Sequence, residues 1–161
     1  MLGVFCIIEL QQVSYGFSRG WPRKQYHIVL NNVSVKLQMG KTFGLMGNSG
    51  TGKTTLGKVA VGLIRPFPGK VFFHGNDIFQ LTRPEWLFFR RKVQMLFQDP
   101  QGSLNPKKRI DASLRDVLNN IQVPLYQQRE IIENVLDIVG LATDFLFRYP
   151  AQLSGGQNQR I

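Results

Sequence analysis

Eight consecutive residues, Gly47-Asn48-Ser49-Gly50-Thr51-Gly52-Lys53-Thr54, have the types and the spacing to hold a phosphate. Gly47, Gly50 and Gly52 free the backbone to curl around an anion with its N–H groups turned inward. Lys53 brings a point charge to the β- and γ-phosphates of a nucleotide, and the Thr54 hydroxyl is a candidate Mg²⁺ ligand beside Thr55. A helix starting there adds the partial positive charge of its N-terminus. A second stretch, Leu153-Ser154-Gly155-Gly156-Gln157, repeats this physics in miniature. Ser154 can cap a helix and hydrogen-bond a phosphate oxygen, and two glycines allow close backbone approach. Taken alone, the second stretch also fits an ordinary helix-capping turn; its place behind a phosphate loop favours the binding role.

The elements that must position these residues follow from periodicity. Val4–Val13 reads as a strand and Val33–Leu37 alternates with period two. Met39-Gly40 turns the chain into Thr42–Met46, a short apolar run suited to a central strand before the phosphate loop. Thr54–Leu63 continues as a helix that Pro66 and Pro68-Gly69 end, and Lys70–His74 is a further strand turned by Gly75-Asn76-Asp77. Thr82 caps a helix with Pro84 in its first turn. Val93–Phe97 has the composition of a buried strand. Helical periodicity returns over Ser113–Ile121 and Gln128–Val139, the latter with Ile131, Ile132, Val135, Leu136 and Val139 on one face and Gly140 as its cap. Gly16–Ile28, of mixed Gly, Pro, basic and aromatic composition, reads as a loop. Strands dominate first and helices later, which gives two subdomains, residues 1–98 and 99–161.

Composition bounds the class without naming a function. A chain of 161 residues with 43% hydrophobic and 19% charged residues can bury a core. The lone cysteine, Cys6, cannot form an internal disulfide and fits a reducing compartment. Met1–Leu10 is mostly apolar but lacks a basic leader and is broken at Glu9, so a buried first strand is the better reading than a signal peptide. No stretch approaches the ~20 apolar residues that span a bilayer. His27 and His74 are the only histidines and stand apart from any cysteine or carboxylate cluster, which argues against a transition-metal site. The net charge of +10 raises nucleic acid as a partner. However, Arg90-Arg91-Lys92 and Lys107-Lys108-Arg109 are not interleaved with a nucleic-acid-reading motif, and a solvated face or attraction to phosphates and anionic lipid is expected instead.

The two motifs, in this order, resemble those of the ATP-binding subunits of ABC transporters, and the peptide/nickel importer group in particular. Tyr15 matches the aromatic residue that stacks on adenine in that family. Gln98, in Leu96-Phe97-Gln98-Asp99-Pro100, is similar to the Q-loop glutamine. Ser103-Leu104-Asn105-Pro106-Lys107 and Arg148-Tyr149-Pro150 resemble stretches typical of the peptide/nickel group. Val29–Ser34 and Phe89–Met95 lean toward the nickel members, although peptide members share most of the pattern.

The resemblance implies an α/β P-loop NTPase (ABC ATPase) fold, present as its N-terminal portion: a mixed sheet with the phosphate loop, then a helical signature subdomain. It implies ATP with Mg²⁺, held by Tyr15, by Gly47, Asn48, Ser49, Gly50, Thr51, Gly52, Lys53, Thr54 and Thr55, and by Ser154, Gly155, Gly156 and Gln157. Thr54 and Gln98 would face the metal, and Gln98 would carry the catalytic contact. Implied partners are a second ATPase subunit in a head-to-tail dimer, two transmembrane permease subunits and, indirectly, an extracytoplasmic substrate-binding protein, with no nucleic acid. The expected location is peripheral, on the cytoplasmic face of a bacterial membrane. The family's Asp-Glu-terminated strand, further Asp loop and switch histidine follow the signature, whereas this sequence ends at Asn158-Gln159-Arg160-Ile161. The expectation is therefore weak nucleotide binding with poor hydrolysis by these residues alone. Two alternatives stand beside the importer subunit: a non-catalytic truncated remnant, and a soluble ABC protein acting on nucleic acid.

Overall fold

The computed structural model describes residues 6–19, 25–97, 102 and 104–161, which fall into two compact units, Met1–Met95 and Leu96–Ile161. In the first, β1 (Cys6–Arg19) and β2 (Gln25–Gln38) form a long antiparallel hairpin. β3 (Lys70–Phe73) pairs antiparallel with β1, and the two-residue β4 (Asn76–Asp77) with β3, giving the order β2-β1-β3-β4.

The hairpin overturns one expectation. Gly16–Ile28 is not a loop throughout: Gly16 pairs with Ile28, Phe17 with His27 and Ser18 with Tyr26. Two kinks hide this continuity. Gln12 and Asn32 take positive φ (50° and 51°) where the register slips, which breaks the period-two pattern that marks a strand. Neighbouring serines bond the displaced backbone N–H groups: Gln12 donates to Ser34 Oγ and Asn32 to Ser14 Oγ, both at 2.9 Å.

Against this sheet pack α1 (Lys53–Ala60) and α2 (Arg83–Lys92), burying Leu10, Val13, Val59, Val71, Ile78 and Phe89 among others. α2 starts as expected at Thr82, whose N–H and hydroxyl both donate to Glu85 Oε2 (2.8 and 2.6 Å). The Thr82–Glu85 pairing is a capping box that fixes where the helix begins.

Two expected strands are not strands. Thr42–Met46 carries no ladder, with Phe43, Leu45 and Met46 exposed, and Val93–Phe97 buries Val93 while Leu96 and Phe97 face solvent. Their composition suits a sheet interior, but a ladder needs a paired neighbour, and among the described residues neither run pairs with another strand. All described pairings are antiparallel.

The second unit is helical: α3 (Ile110–Asn120), α4 (Leu125–Ile138), two short 3₁₀ turns at Thr143–Phe147 and Pro150–Gln152, and α5 (Gly155–Arg160). Leu118, Ile132, Leu136 and Leu141 form its core. Gly140, at φ 64°, ends α4 as anticipated: its N–H meets the Asp137 carbonyl, and that of Leu141 reaches back to Leu136 (both 2.9 Å). The apolar face of α4 differs from expectation at one place. Val135 is exposed, and Gln128, fully buried, takes part of the inner stripe by donating to Asn119 Oδ1 (2.7 Å) and the Val123 carbonyl (3.0 Å).

Candidate nucleotide-binding site

The phosphate loop is built from both sides of Gly52. This residue is the N-cap of α1 and sits at φ 90°, a left-handed backbone that side chains resist. A Cβ there would also lie 2.9 Å from the Val29 carbonyl oxygen and 3.1 Å from Leu30 Cδ2. The loop therefore enters the helix pressed against β2, and only glycine fits. Leu30 pairs across the hairpin with Tyr15, so the strand pair carrying Tyr15 is the one that abuts the end of the loop. Tyr15 itself is half-buried and packs on the core of this unit.

Lys53 opens α1 and folds back over the loop. Its Nζ donates to the carbonyls of Gly47 (2.7 Å) and Asn48 (2.5 Å), while Thr51 Oγ1 donates to the Asn48 carbonyl (2.9 Å). These bonds draw the carbonyl dipoles toward the ammonium. The first turn of α1 holds no acidic residue, so nothing cancels the positive potential of its N–H groups. Asn48, Ser49, Gly50, Thr51 and Thr54 are exposed, and Thr55 is partly covered one residue further along. One cation, a helix start and an exposed hydroxyl stand together at one backbone turn, which suits a polyphosphate with an oxygen-seeking cation such as Mg²⁺.

The signature stretch is assembled differently. Ser154 is the N-cap of α5: the Gln157 N–H donates to Ser154 Oγ (3.3 Å), and the Ser154 N–H donates to Gln157 Oε1 (2.9 Å). A Cβ on Gly155 or Gly156 would meet nothing within 4 Å. Two residues that sequence reasoning passed over hold this turn in place. Asn158, buried at 3% exposure, donates through Nδ2 to the Pro150 carbonyl (3.0 Å). Arg160 donates from Nη1 to the carbonyls of Val139 (2.9 Å) and Gly140 (3.2 Å), and from Nε to that of Gly156 (3.3 Å). The signal was their place in the turns directly after the motif, where a helix that short needs outside support.

Arg148-Tyr149-Pro150 also acquires a structural part. The Arg148 side chain pairs with Asp144 at 2.5 Å and lies over the Phe145 ring, its carbonyl accepts from the Ile110 N–H, and Pro150 supplies the acceptor for Asn158. Gln98 and Ser103 lie outside the described residues. Among the described residues no group of three or more His, Cys, Asp or Glu is placed to hold a metal, and no helix is long and apolar enough to cross a membrane.

Solved structures share this architecture. The dimeric structure of MJ0796, a bacterial ABC transporter cassette, matches with a TM-score of 0.79 at 27% identity, covering 95% of this chain and 66% of that one. The same cassette in a post-hydrolysis state bound to ADP and Pi matches with the same TM-score at 25% identity. The fold is thus that of an ABC ATPase cassette. The family model for ABC transporters covers residues 30–161, and the chain belongs to that family. Relatives include the putative oligopeptide transport ATP-binding protein YkfD of Bacillus subtilis (36% identical, 96% of this chain, 47% of the relative) and the dipeptide transport ATP-binding protein DppF of Lactococcus lactis (38%, 96% and 50%). The nickel import ATP-binding protein NikE of Escherichia coli O157:H7 is 35% identical over 96% of this chain and 59% of its own length. The chain spans about half the length of the curated relatives it matches.

Proposed function

We propose that this chain is the ATP-binding part of an ABC importer subunit for short peptides or nickel, and that residues 1–98 form its nucleotide core and 99–161 its signature subdomain. The observation that carries this is the phosphate loop: Gly52 pinned against Val29 at the start of α1, with Lys53 Nζ closing onto the Gly47 and Asn48 carbonyls. In this reading the loop amides from Gly47 to Thr55 and the Lys53 ammonium bind the β- and γ-phosphates, and Tyr15 stacks on adenine. The Thr54 hydroxyl and Gln98 would hold Mg²⁺, which when bound would supply charge neutralisation for phosphoryl transfer to water. Ser154, Gly155, Gly156 and Gln157 contact the nucleotide held by a second subunit, head to tail. Nucleotide then favours the closed pair because it touches both faces only there. Two permease subunits at the cytoplasmic face of the membrane receive that motion, and the cargo is chosen by them and a substrate-binding protein.

Titration of the purified 161-residue chain with a fluorescent ATP analogue tests the reading. Saturable, Mg²⁺-dependent binding is expected, weakened at least about tenfold in Lys53→Ala, since a desolvated charge-assisted contact contributes about 1.5–3 kcal/mol. Turnover by these 161 residues is expected to be low, because no adjacent Asp-Glu pair stands in the sequence to polarise water. Absence of binding, or equal binding by Lys53→Ala, would overturn the proposal.

A further inference from the structure

The whole net charge of the chain resides in one unit. Residues 1–95 hold thirteen Lys and Arg against three Asp and Glu, whereas residues 96–161 hold seven of each. Within the charged unit, α2 is the element that combines this excess with exposed apolar surface. Arg83, Arg91 and Lys92 are exposed, and so are Leu87 (40%) and Phe88 (53%). Helical spacing sets them in two adjacent rows, Arg83–Leu87–Arg91 and Pro84–Phe88–Lys92, with cations at three of the four ends and apolar side chains at the centre.

This face is held rigidly outward by the residues behind it. Phe89 is fully buried, stacked edge-on to Phe73 with ring centroids 5.2 Å apart. Arg90 turns away from its two basic neighbours to donate to the Val61 carbonyl (3.0 Å) and lies over Trp86. The one acid of the helix, Glu85, is engaged by Thr82 at the helix start. Lys92 Nζ stands 5.7 Å above the Phe88 ring, and a hollow of about 360 Å³ beside the helix is bordered by Phe73, Leu81, Pro84 and Phe88 together with the polar His74, Asn76 and Glu85.

We propose that the outward face of α2 docks on an anionic lipid surface, Leu87 and Phe88 entering the headgroup boundary while Arg83, Arg91 and Lys92 meet lipid phosphates. Charge complementarity selects a polyanion. The central pair of apolar side chains, one of them an aliphatic leucine with no base to stack on, selects a bilayer over a nucleic acid. The proposal does not depend on nucleotide binding or on a permease, and vesicles made of lipid alone separate it from both.

Co-sedimentation of the full 161-residue chain with phosphatidylcholine vesicles, with and without phosphatidylglycerol, provides the test. Binding is expected only with phosphatidylglycerol and is expected to fall with salt. Each cation near such a surface contributes about fivefold in affinity, so Arg83→Gln/Arg91→Gln/Lys92→Gln loses about a hundredfold. Leu87→Ser/Phe88→Ser loses at least about tenfold with its charge unchanged. Lys41→Gln/Arg65→Gln/Lys70→Gln removes the same charge from exposed positions elsewhere in the unit and loses much less. Circular dichroism matching the parent shows each variant folded. The proposal is overturned if no vesicle binding occurs, if both triple variants lose affinity equally, or if the Leu87/Phe88 variant binds as the parent does. It is equally overturned if a single-stranded oligonucleotide binds through α2 while vesicles do not.

Discussion

The phosphate loop and the signature stretch both bring backbone N–H groups to the start of a helix, yet they use glycine for opposite reasons. Gly52 is in the left-handed region and pressed against Val29, so its missing side chain is required by the chain's own conformation and packing. Gly155 and Gly156 take no positive φ and have open space where a side chain would be. Nothing inside the second unit requires them to be glycine. The first motif is glycine-rich because the loop must bend; in the proposed reading, the second is glycine-rich so that a second molecule can come close. The same contrast runs through the units. The first rests on a sheet with a broad apolar core and holds all the excess charge. The second is charge-balanced, has a smaller core, and secures its motif with the Asn158 and Arg160 hydrogen bonds.

The strongest way to break the contrast is at Gly69, where the turn after α1 meets the kinked part of β1. The Phe67 N–H donates to the Ser14 carbonyl and the Ser14 N–H to the Pro68 carbonyl, both at 2.8 Å. Gly69 has φ 114°, and a Cβ on it would lie 2.4 Å from Val13 Cα and 2.7 Å from the Gln12 carbonyl oxygen. Neither neighbour is a side chain that can swing aside. Gly69→Ala combines backbone strain with a backbone clash and should cost about 3 kcal/mol or more. Amide exchange should show that loss across β1, β2 and β3, with protection in α3 and α4 retained. Equal loss in both units would mean that they do not open separately, and a loss below about 1 kcal/mol would mean that the turn relaxes freely.

How much of this was legible in the sequence depends on whether a feature is local. The phosphate loop, the Thr82 cap of α2, the Gly140 cap of α4 and Ser154 at the start of α5 were all readable. Each is decided by residues within a few positions of one another. What escaped was decided at a distance. The hairpin through Gly16–Ile28 was hidden because the bulges at Gln12 and Asn32 reset the alternation, and only the partner strand restores the register. Thr42–Met46 and Val93–Phe97 have strand composition, but a ladder belongs to a pair of strands rather than to one segment. Nothing in the sequence marks Gln128 and Asn158 for burial, because polar side chains ordinarily stay exposed. Their burial depends on the Asn119, Val123 and Pro150 acceptors, whose proximity the fold creates.

Gly156→Ala sharpens the same contrast at a smaller cost to the fold. With no clash and an ordinary helical backbone, alanine should leave stability unchanged or raise it by roughly 0.5–1 kcal/mol through helix propensity. Chemical denaturation checks that half. If the glycine serves close approach by a second molecule, sedimentation with a non-hydrolysable ATP analogue should show pairing weakened at least about tenfold, while nucleotide binding to the phosphate loop is retained. A variant that unfolds early would mean that the glycine serves its own chain after all, and the distinction between the two motifs would fail.

The finest test lies in pH. Glu85 is held below the usual carboxylate range, first by the Thr82 hydroxyl and then by the Thr82 N–H; Glu9, in the same unit, is lowered chiefly by Lys36 and then by Gln11. A carboxyl whose pKa is lower in the folded state favours folding above its unfolded value and loses that contribution as pH falls through the folded one. Glu85 faces solvent and Glu9 is partly covered, and at the exposed Glu85 the effect is local and modest. The start of α2 should therefore loosen as pH drops below about 4, the ordinary carboxylate value, and keep loosening further into acid. Amide exchange at Trp86, whose N–H donates to the Thr82 carbonyl at 2.8 Å, reads this directly once intrinsic rates are divided out. In Glu85→Gln the amide can still accept from Thr82 but cannot titrate, so its protection should be lower at neutral pH and flat through the acid range. If the parent is equally flat, the Thr82–Glu85 bonds do not set where α2 begins, and the capping of the first unit's helix would owe nothing to charge.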